Sequence, residues 1–513
     1  GAYVAAARLP EFDALVPRAA RSPGIEPPAE YRKPWAREAA LAEIVRDRLQ
    51  GLGPVTAQAL AAPLALSPAE IDAALAKLEA EGSAMRGRFT PEAGDLEWCE
   101  RRLLARIHRY TVNRLRAEIE PVEPRDFLRF LFRWQRVAPE ARVEGADAVA
   151  AIVSQLEGFE APAAAWETEI LPARVNEYDP AWLDELSLAG RVVWTRLSAA
   201  RPNGDRAPSP VRTTPITLLP RRNLGVWTAL ADAGDGAPLT SRAREVADFI
   251  GARGASFFDE IVAGTALLRT QVEEALGELT ALGVVNADSF GGLRALLVPG
   301  DRRPSWGERG PSPAQGPHKR RRRTALFGIE DAGRWALIRR QSRAALLPGA
   351  APDPEIVEHI ARTLLKRYGV VFWRLIAREA EWLPPWRALL RCYRRLEARG
   401  EIRGGRFVAG ASGEQFALAE AIGSLRDARR AERTGALVSL SGADPLNLVG
   451  ILTPGARLPA LTGNRVLYRD GVPIALLAGG EARFLEALTP EAEWSARNAL
   501  VRRQVPAVLH FLG

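Results

Sequence analysis

The chain contains two cysteines, four histidines, one methionine and only four lysines in 513 residues. Cys99 and Cys392 have no Cys or His at metal-ligand spacing, and His108, His318, His359 and His510 are scattered. That pattern argues against structural zinc, a disulfide framework and a Cys–His nucleophile pair. It fits a reducing compartment, hence the cytoplasm. No apolar run approaches the roughly 18 residues needed to cross a bilayer, so no membrane partner is expected. The N-terminal stretch, with Glu11 and Asp13 among prolines, has no charged-then-apolar leader. No G-x-x-x-x-G-K-[ST] occurs, and none of Lys33, Lys77, Lys319 and Lys366 supplies one, so ATP hydrolysis is not assigned here. Gly1 as the first residue and Met85 as the only methionine suggest a fragment of a longer polypeptide.

What is abundant is arginine. The formal net charge is +8, and guanidinium groups pair bidentately with phosphate and with guanine edges, which suits a nucleic-acid partner. A GC-rich genome that encodes arginine for lysine gives the same bias. The composition, 47% hydrophobic and 26% charged, is ordinary for a globular protein, and the length predicts roughly three to five domains.

A repeated plan organises the chain. Residues 1–35 read as a Pro/Ala-rich arm. Within 36–99, helices over 36–50 and 55–63 precede a third, opened by the capping box Ser67-Pro68-Ala69-Glu70 and closed at Gly82. Ala84–Phe89 and Asp95–Cys99 then predict a hairpin, and three helices plus a hairpin is the winged-helix plan. It recurs in 199–299, with helices at Ser241–Ala252, Ser256–Ala263 and from Thr270, then strands at Val284–Val285 and Leu293–Val298. It recurs again in 325–410, with helices near 354–368 and 371–380 and a third from Pro385 to Gly400. There Gly404-Gly405 gives a two-residue hairpin signal. Between these modules, 100–198 is a helical, winged-helix-like block that starts with the basic amphipathic helix Arg101–Glu118. Residues 300–324 read as a disordered basic linker. Gln415–Arg429 is expected to be helical, several short strands within 411–487 predict a small β-barrel, and 488–513 a terminal helix. The expected class is mainly α with β (α+β): tandem winged helices, then a small barrel and a C-terminal helix.

Arg387, Arg391 and Arg395 recur at i, i+4 and i+8 on the third helix of the last module, with Arg403 and Arg406 on its wing. A basic helix for a groove and a basic wing for the backbone predict contact with DNA. Glu397 and Glu401 partly neutralise that helix if it is merely solvated. Arg320, Arg321, Arg322 and Arg323 in the linker predict non-specific phosphate affinity. The first module has an acidic third helix (Glu70, Asp72, Glu79, Glu81) and is expected to be structural.

The run Arg109-Tyr110-Thr111, the stretch PVEPRDFLRFLFRWQ from 121 to 135, and QLEGFEAPAAAWETEILPARV from Gln155 resemble bacterial large helicase-related (Lhr) proteins. So do RYGVVFWRLIARE, PWRALLRCYRRLEARGEIRGGRFVAGASGEQFAL and SGADPLNLVGIL, and the resemblance covers nearly all of 31–487. It implies the non-motor C-terminal half of an ATP-dependent superfamily 2 DNA helicase acting in repair. This half would bind DNA and oligomerise. The ATP and Mg would belong to an N-terminal helicase core in the same polypeptide, and no cofactor is expected in this chain. A second resemblance, over about 121–487, is to AlkZ-type winged-helix DNA glycosylases. Their glutamine–hydrophobic–glutamine motif falls on Gly158-Phe159-Glu160-Ala161-Pro162, with Glu160 for the first glutamine and Pro162 for the second. It implies a catalytic role for Glu160, and Asp444, in Asp444-Pro445-Leu446, resembles the start of their barrel. A carboxylate suits the chemistry, because cleaving an N-glycosidic bond builds positive charge on the sugar. The loss of a second polar group to Pro162 departs from the pattern. Glu160 placed before a helix, and Asp444 before Pro445, also have plain structural roles.

Overall fold

Local sequence signals set the first module. Ser67 Oγ accepts from the Glu70 backbone N–H while Glu70 reaches back to the Ser67 N–H, so both ends of the capping box are made. In the computed structural model the chain divides into two compact units, Gly1–Glu118 and Ile119–Gly513. The structure describes residues 3–91, 94–117, 119–198, 211–230, 238–298, 328–330, 332–338, 353–501, 505–506 and 509.

Unit 1 consists of α1 (Leu9–Leu15), α2 (Arg37–Gly51), β1 (Val55–Thr56), α3 (Ala57–Ala61), α4 (Pro68–Ala80), β2 (Ala84–Gly87), β3 (Glu97–Glu100) and α5 (Arg101–Ala117). Ile71, Ala74, Leu75 and Leu78 of α4 are buried against Leu41, Ile44, Val45 and Leu49 of α2, as the helical spacing requires. The wing tip is closed by Glu97, which accepts from the N–H groups of Phe89 and Thr90 and the Thr90 hydroxyl.

Unit 2 holds three more copies. The second has α7 (Ala146–Gln155), β4 (Ala161–Pro162), α8 (Ala163–Ala165) with a π-turn over Trp166–Ile170, α9 (Pro180–Leu188), β5 (Val192–Thr195) and β6 (Pro215–Pro220). It is preceded by α6 (Pro124–Trp134) and followed by α10 (Leu224–Leu230). The third has α11 (Ser241–Arg253), β7 (Ser256–Phe257), α12 (Phe258–Thr265), α13 (Arg269–Ala281), β8 (Val285–Ala287), an inserted α14 (Phe290–Leu297) and β9 (Arg334–Leu337). The fourth has α15 (Pro354–Tyr368), β10 (Val370–Phe372), α16 (Trp373–Ile376), α17 (Trp386–Ala398), β11 (Ile402–Gly405) and β12 (Gln415–Leu418). In all four modules the last strand lies in the middle: β1-β3-β2, β4-β6-β5, β7-β9-β8 and β10-β12-β11. The chain continues as α18 (Ala419–Arg430), β13 (Leu437–Ser441), β14 (Arg465–Arg469), β15 (Val472–Ala478), β16 (Glu481–Phe484) and α19 (Pro490–Val501).

Five sequence expectations change. Leu293–Val298, expected as a wing strand, lies in α14, because Ser289 caps the run by accepting from the Gly292 N–H and its residues are buried on every side. A short, fully apolar run does not distinguish strand from helix by period. The strand that pairs with β8 is instead β9, so this module reaches past the segment 300–324 and Arg334–Leu337 belongs to it rather than to the next. Gly404 and Gly405 lie inside β11, opposite Phe416 and Gln415, and are not a hairpin turn. A side chain at Gly405 would collide with Ile119, so the glycine serves close approach. Gln415–Leu418, expected as helix, is the central strand, with the helix starting at Ala419. The predicted barrel is a four-stranded antiparallel sheet in the order β13-β14-β15-β16, with no closure among the described residues. Its two faces are already covered: Ile474 and Ala475 pack with Ala496 and Leu500 of α19. Val466 and Tyr468 join the large core, where Tyr468 meets Phe132 of α6 at 5.1 Å.

Candidate functional site

On α17 the apolar spacing buries Leu389, Cys392, Tyr393 and Leu396. Helical geometry then turns Arg387, Arg391 and Arg395 outward, and all three are exposed, as are Arg403 on β11 and Arg406 just beyond it. Among the described residues none of these five arginines is in an ion pair, because nearby carboxylates are engaged elsewhere. Glu358 and Glu401 are shared by Arg362 and Arg399, and Glu414 pairs with Arg394. Glu397 accepts from the Gly404 N–H at 3.0 Å. The neutralisation considered from sequence, by Glu397 and Glu401, is therefore directed at other groups. Arg320, Arg321, Arg322 and Arg323 lie outside the described residues.

The other three third helices have the opposite character. The α4 helix carries Glu70, Asp72 and Glu79, α9 carries Asp184 and Glu185, and α13 carries Glu273, Glu274 and Glu278. An open cleft of about 530 Å³ between α4 and its wing is lined by Asp72, Glu79 and Asp95, and its one arginine, Arg86, is paired with Glu79. Asp184 is held by Arg294 of α14, which is fully buried and also pairs with Glu167 at 2.7 Å. Burial pushes the Glu167 carboxyl above its ordinary value despite Arg294. This network interlocks the second and third modules. Only α17 presents a cationic outer face among the four.

The acidic turn lies in the second module between α7 and β4. Glu160 is half-buried, and Oε1 accepts from the N–H groups of Leu197 (3.0 Å) and Ser198 (2.8 Å). Its Oε2 accepts from Trp382 Nε1 at 3.1 Å. The carboxylate thus ties the end of β5 to the fourth module. Pro162, expected as the first residue of a helix, instead ends β4 opposite Pro215. Asp444 is 1% exposed and forms a two-pronged pair with Arg174, 2.7 Å from Nη1 to Oδ2 and 3.0 Å from Nη2 to Oδ1. Oδ1 also accepts from the Leu446 N–H. The turn-forming role of Asp444 is present, and its charge is committed to a buried arginine.

The sequence reading missed Glu157, the most heavily engaged carboxylate of this turn. It is 4% exposed and accepts from Trp227 Nε1 at 2.6 Å and from Asn223 Nδ2 at 2.8 Å, with His359 Nε2 at 2.9 Å. Burial pushes its carboxyl up, but the hydrogen bonds from His359, Trp227 and Asn223 outweigh burial and hold it below its ordinary value. Trp227 stands edge-on to both His359 and Trp382, each at 6.1 Å between ring centres. Behind it, Arg367 of α15 is buried, donates to the Glu157 carbonyl and pairs with Glu379. Among the described residues no group of three or more His, Cys, Asp or Glu side chains is placed to hold a metal ion. No single described helix is long and apolar enough to cross a membrane.

Residues 122–221 match the family model of a winged-helix domain of large helicase-related protein, and residues 350–437 match a second such domain. The chain carries large helicase-related winged-helix domains. The matched segments are the second and fourth modules, those joined through Glu157, Glu160 and Trp382. Among curated relatives, a protein of Mycolicibacterium smegmatis named Lhr helicase/probable uracil glycosylase is 30% identical over 459 residues, covering 85% of this chain and 28% of that protein. The Lhr helicase/uracil glycosylase of Escherichia coli is 27% identical over 494 residues, covering 87% of this chain and 30% of that protein. The chain thus spans under a third of these relatives. Among solved structures, the Streptomyces sahachiroi DNA glycosylase AlkZ is similar with a TM-score of 0.40 at 16% identity, covering 75% of this chain and 97% of that one.

Proposed function

We propose that this chain is the non-motor, DNA-binding part of a large helicase-related DNA helicase involved in repair. The observation that carries this reading is the outer face of α17 and its wing, where five arginines have no carboxylate partner among the described residues. A surface of this kind gains most of its binding free energy from phosphates and their released counterions. Arg387→Ala/Arg391→Ala/Arg395→Ala is expected to weaken DNA binding and to flatten its salt dependence. Unchanged affinity would remove α17 as the reading element. Association with further copies, and attachment to an ATP- and Mg-dependent core in the same polypeptide, complete the proposal. Light scattering tests the assembly part, which a monomer at all concentrations would exclude.

A second reading, excision of uracil or an alkylated base, draws on the printed names of the two relatives. Glu160 is its candidate group here, since Asp444 is committed to Arg174. The test is alkali-labile cleavage of uracil- and alkyl-base oligonucleotides. Equal product from Glu160→Ala, or no product at all, removes Glu160 from the chemistry.

A further inference from the structure

The last helix of unit 1, α5, is the longest helix described, 17 residues, and has no buried residue. Its sequence, RRLLARIHRYTVNRLRA, contains six arginines and no acid. Helical spacing sorts these residues cleanly. Leu103, Leu104 and Ile107, all half-buried, share one face. Arg102, Arg106 and Arg109, at i, i+4 and i+7, share the opposite one with Asn113. All three arginines are exposed, and among the described residues none is in an ion pair. The nearest acid in sequence, Glu100, is engaged at the helix start, accepting from the N–H groups of Arg102 and Leu103. A helix stripe without i, i+4 acids gains nothing from intrahelical pairing and repels itself, so an anionic partner is what would stabilise it.

We infer that the Arg102–Arg106–Arg109 face of α5 is a second DNA-binding surface, contacting the phosphate backbone independently of α17. The occupant follows from charge and length. From Arg102 to Arg109 the helix rises about 10.5 Å at ~1.5 Å per residue. Successive phosphates on one strand advance about 3.4 Å along the duplex axis, so the stripe matches about three of them. A phosphate surface needs no base contact, so this face is expected to add affinity without sequence preference.

The inference rests on the DNA-binding reading, and its test separates the two. Affinity of the full chain for a fluorescein-labelled duplex is measured across a salt series for the parent, for Arg102→Gln/Arg106→Gln/Arg109→Gln, and for the α17 triple variant. Glutamine keeps helix propensity, and circular dichroism checks the fold. The expected result is weaker binding by the α5 variant at low salt, with a log–log salt slope shallower by about 2–3, at ~0.7–0.9 per lost phosphate contact. Lysine at the same three positions is expected to restore the slope. If the α17 variant loses affinity while the α5 variant matches the parent, this inference falls and the reading stands. If neither variant changes affinity, both fall. A changed oligomeric state with an unchanged slope would identify a second copy of the chain as the occupant and overturn the inference.

Discussion

Gly158 sits at the centre of the acidic turn with φ +78°, in the left-handed region. A Cβ added there would fall well inside contact distance of three carbons of the Trp227 indole. The indole has little room to retreat: it is 1% exposed, and its Nε1 donates to Glu157 at 2.6 Å. Gly158→Ala therefore incurs two costs, about 1–2 kcal/mol for a side chain in the left-handed region and about 1–3 kcal/mol for overpacking. Gly254 is the matched control. It occupies the same connection in the third module, between α11 and β7, with φ +88° and nothing within 4 Å of its would-be Cβ. Gly254→Ala should show only the backbone cost. Urea unfolding followed by far-ultraviolet circular dichroism compares the two through their midpoints at equal m-values. The expected difference is about 1–3 kcal/mol, with Gly158→Ala the weaker protein. Equal midpoint shifts for the two variants would refute the claim that Trp227 is pinned against this turn.

Two further outcomes follow from the buried carboxylates. Glu157 has a folded-state carboxyl below its ordinary value of about 4.5. Its ionised form therefore stabilises the fold above that value, and the contribution is lost as pH falls through the lower folded value. The stability gap between parent and Glu157→Gln should be full at neutral pH and narrow below about 4.5; a gap independent of pH in acid would contradict the assignment. Asp444→Asn keeps an acceptor for the Leu446 N–H but leaves the fully buried Arg174 without its counter-ion. That change is expected to cost about 3–5 kcal/mol in thermal or urea unfolding, and parent-like stability would show that the pair is dispensable.

The first module was legible almost residue by residue, because its signals are local: a capping box, an apolar 3.6-residue period and a glycine stop. The arginine face of α17 was legible for the same reason, since i, i+4, i+8 spacing fixes a common side. What escaped sequence reasoning depends on partners far apart in the chain. Asp444 and Arg174 are separated by 270 positions, and Glu157 lies 70 from Trp227 and 202 from His359. A motif-based reading therefore selected Glu160, in the recognisable turn, and passed over the more deeply engaged Glu157 three residues earlier. The wing of the third module failed differently. Its strand β8 pairs with β9, 50 positions on from Asn286 to Ala336, while the intervening apolar run folds into α14. Gly404-Gly405 misled because two adjacent glycines signal a hairpin, whereas the packing of Ile119 also demands a residue without a side chain.

The central claim, that the fourth module binds DNA through α17, is tested most directly by the salt dependence of duplex binding for the parent and for Arg387→Ala/Arg391→Ala/Arg395→Ala. The account predicts a large loss of affinity at low salt and a slope shallower by about 2–3, since each lost phosphate contact removes ~0.9 on a duplex. A folded variant that binds with the parent's affinity and slope would contradict it.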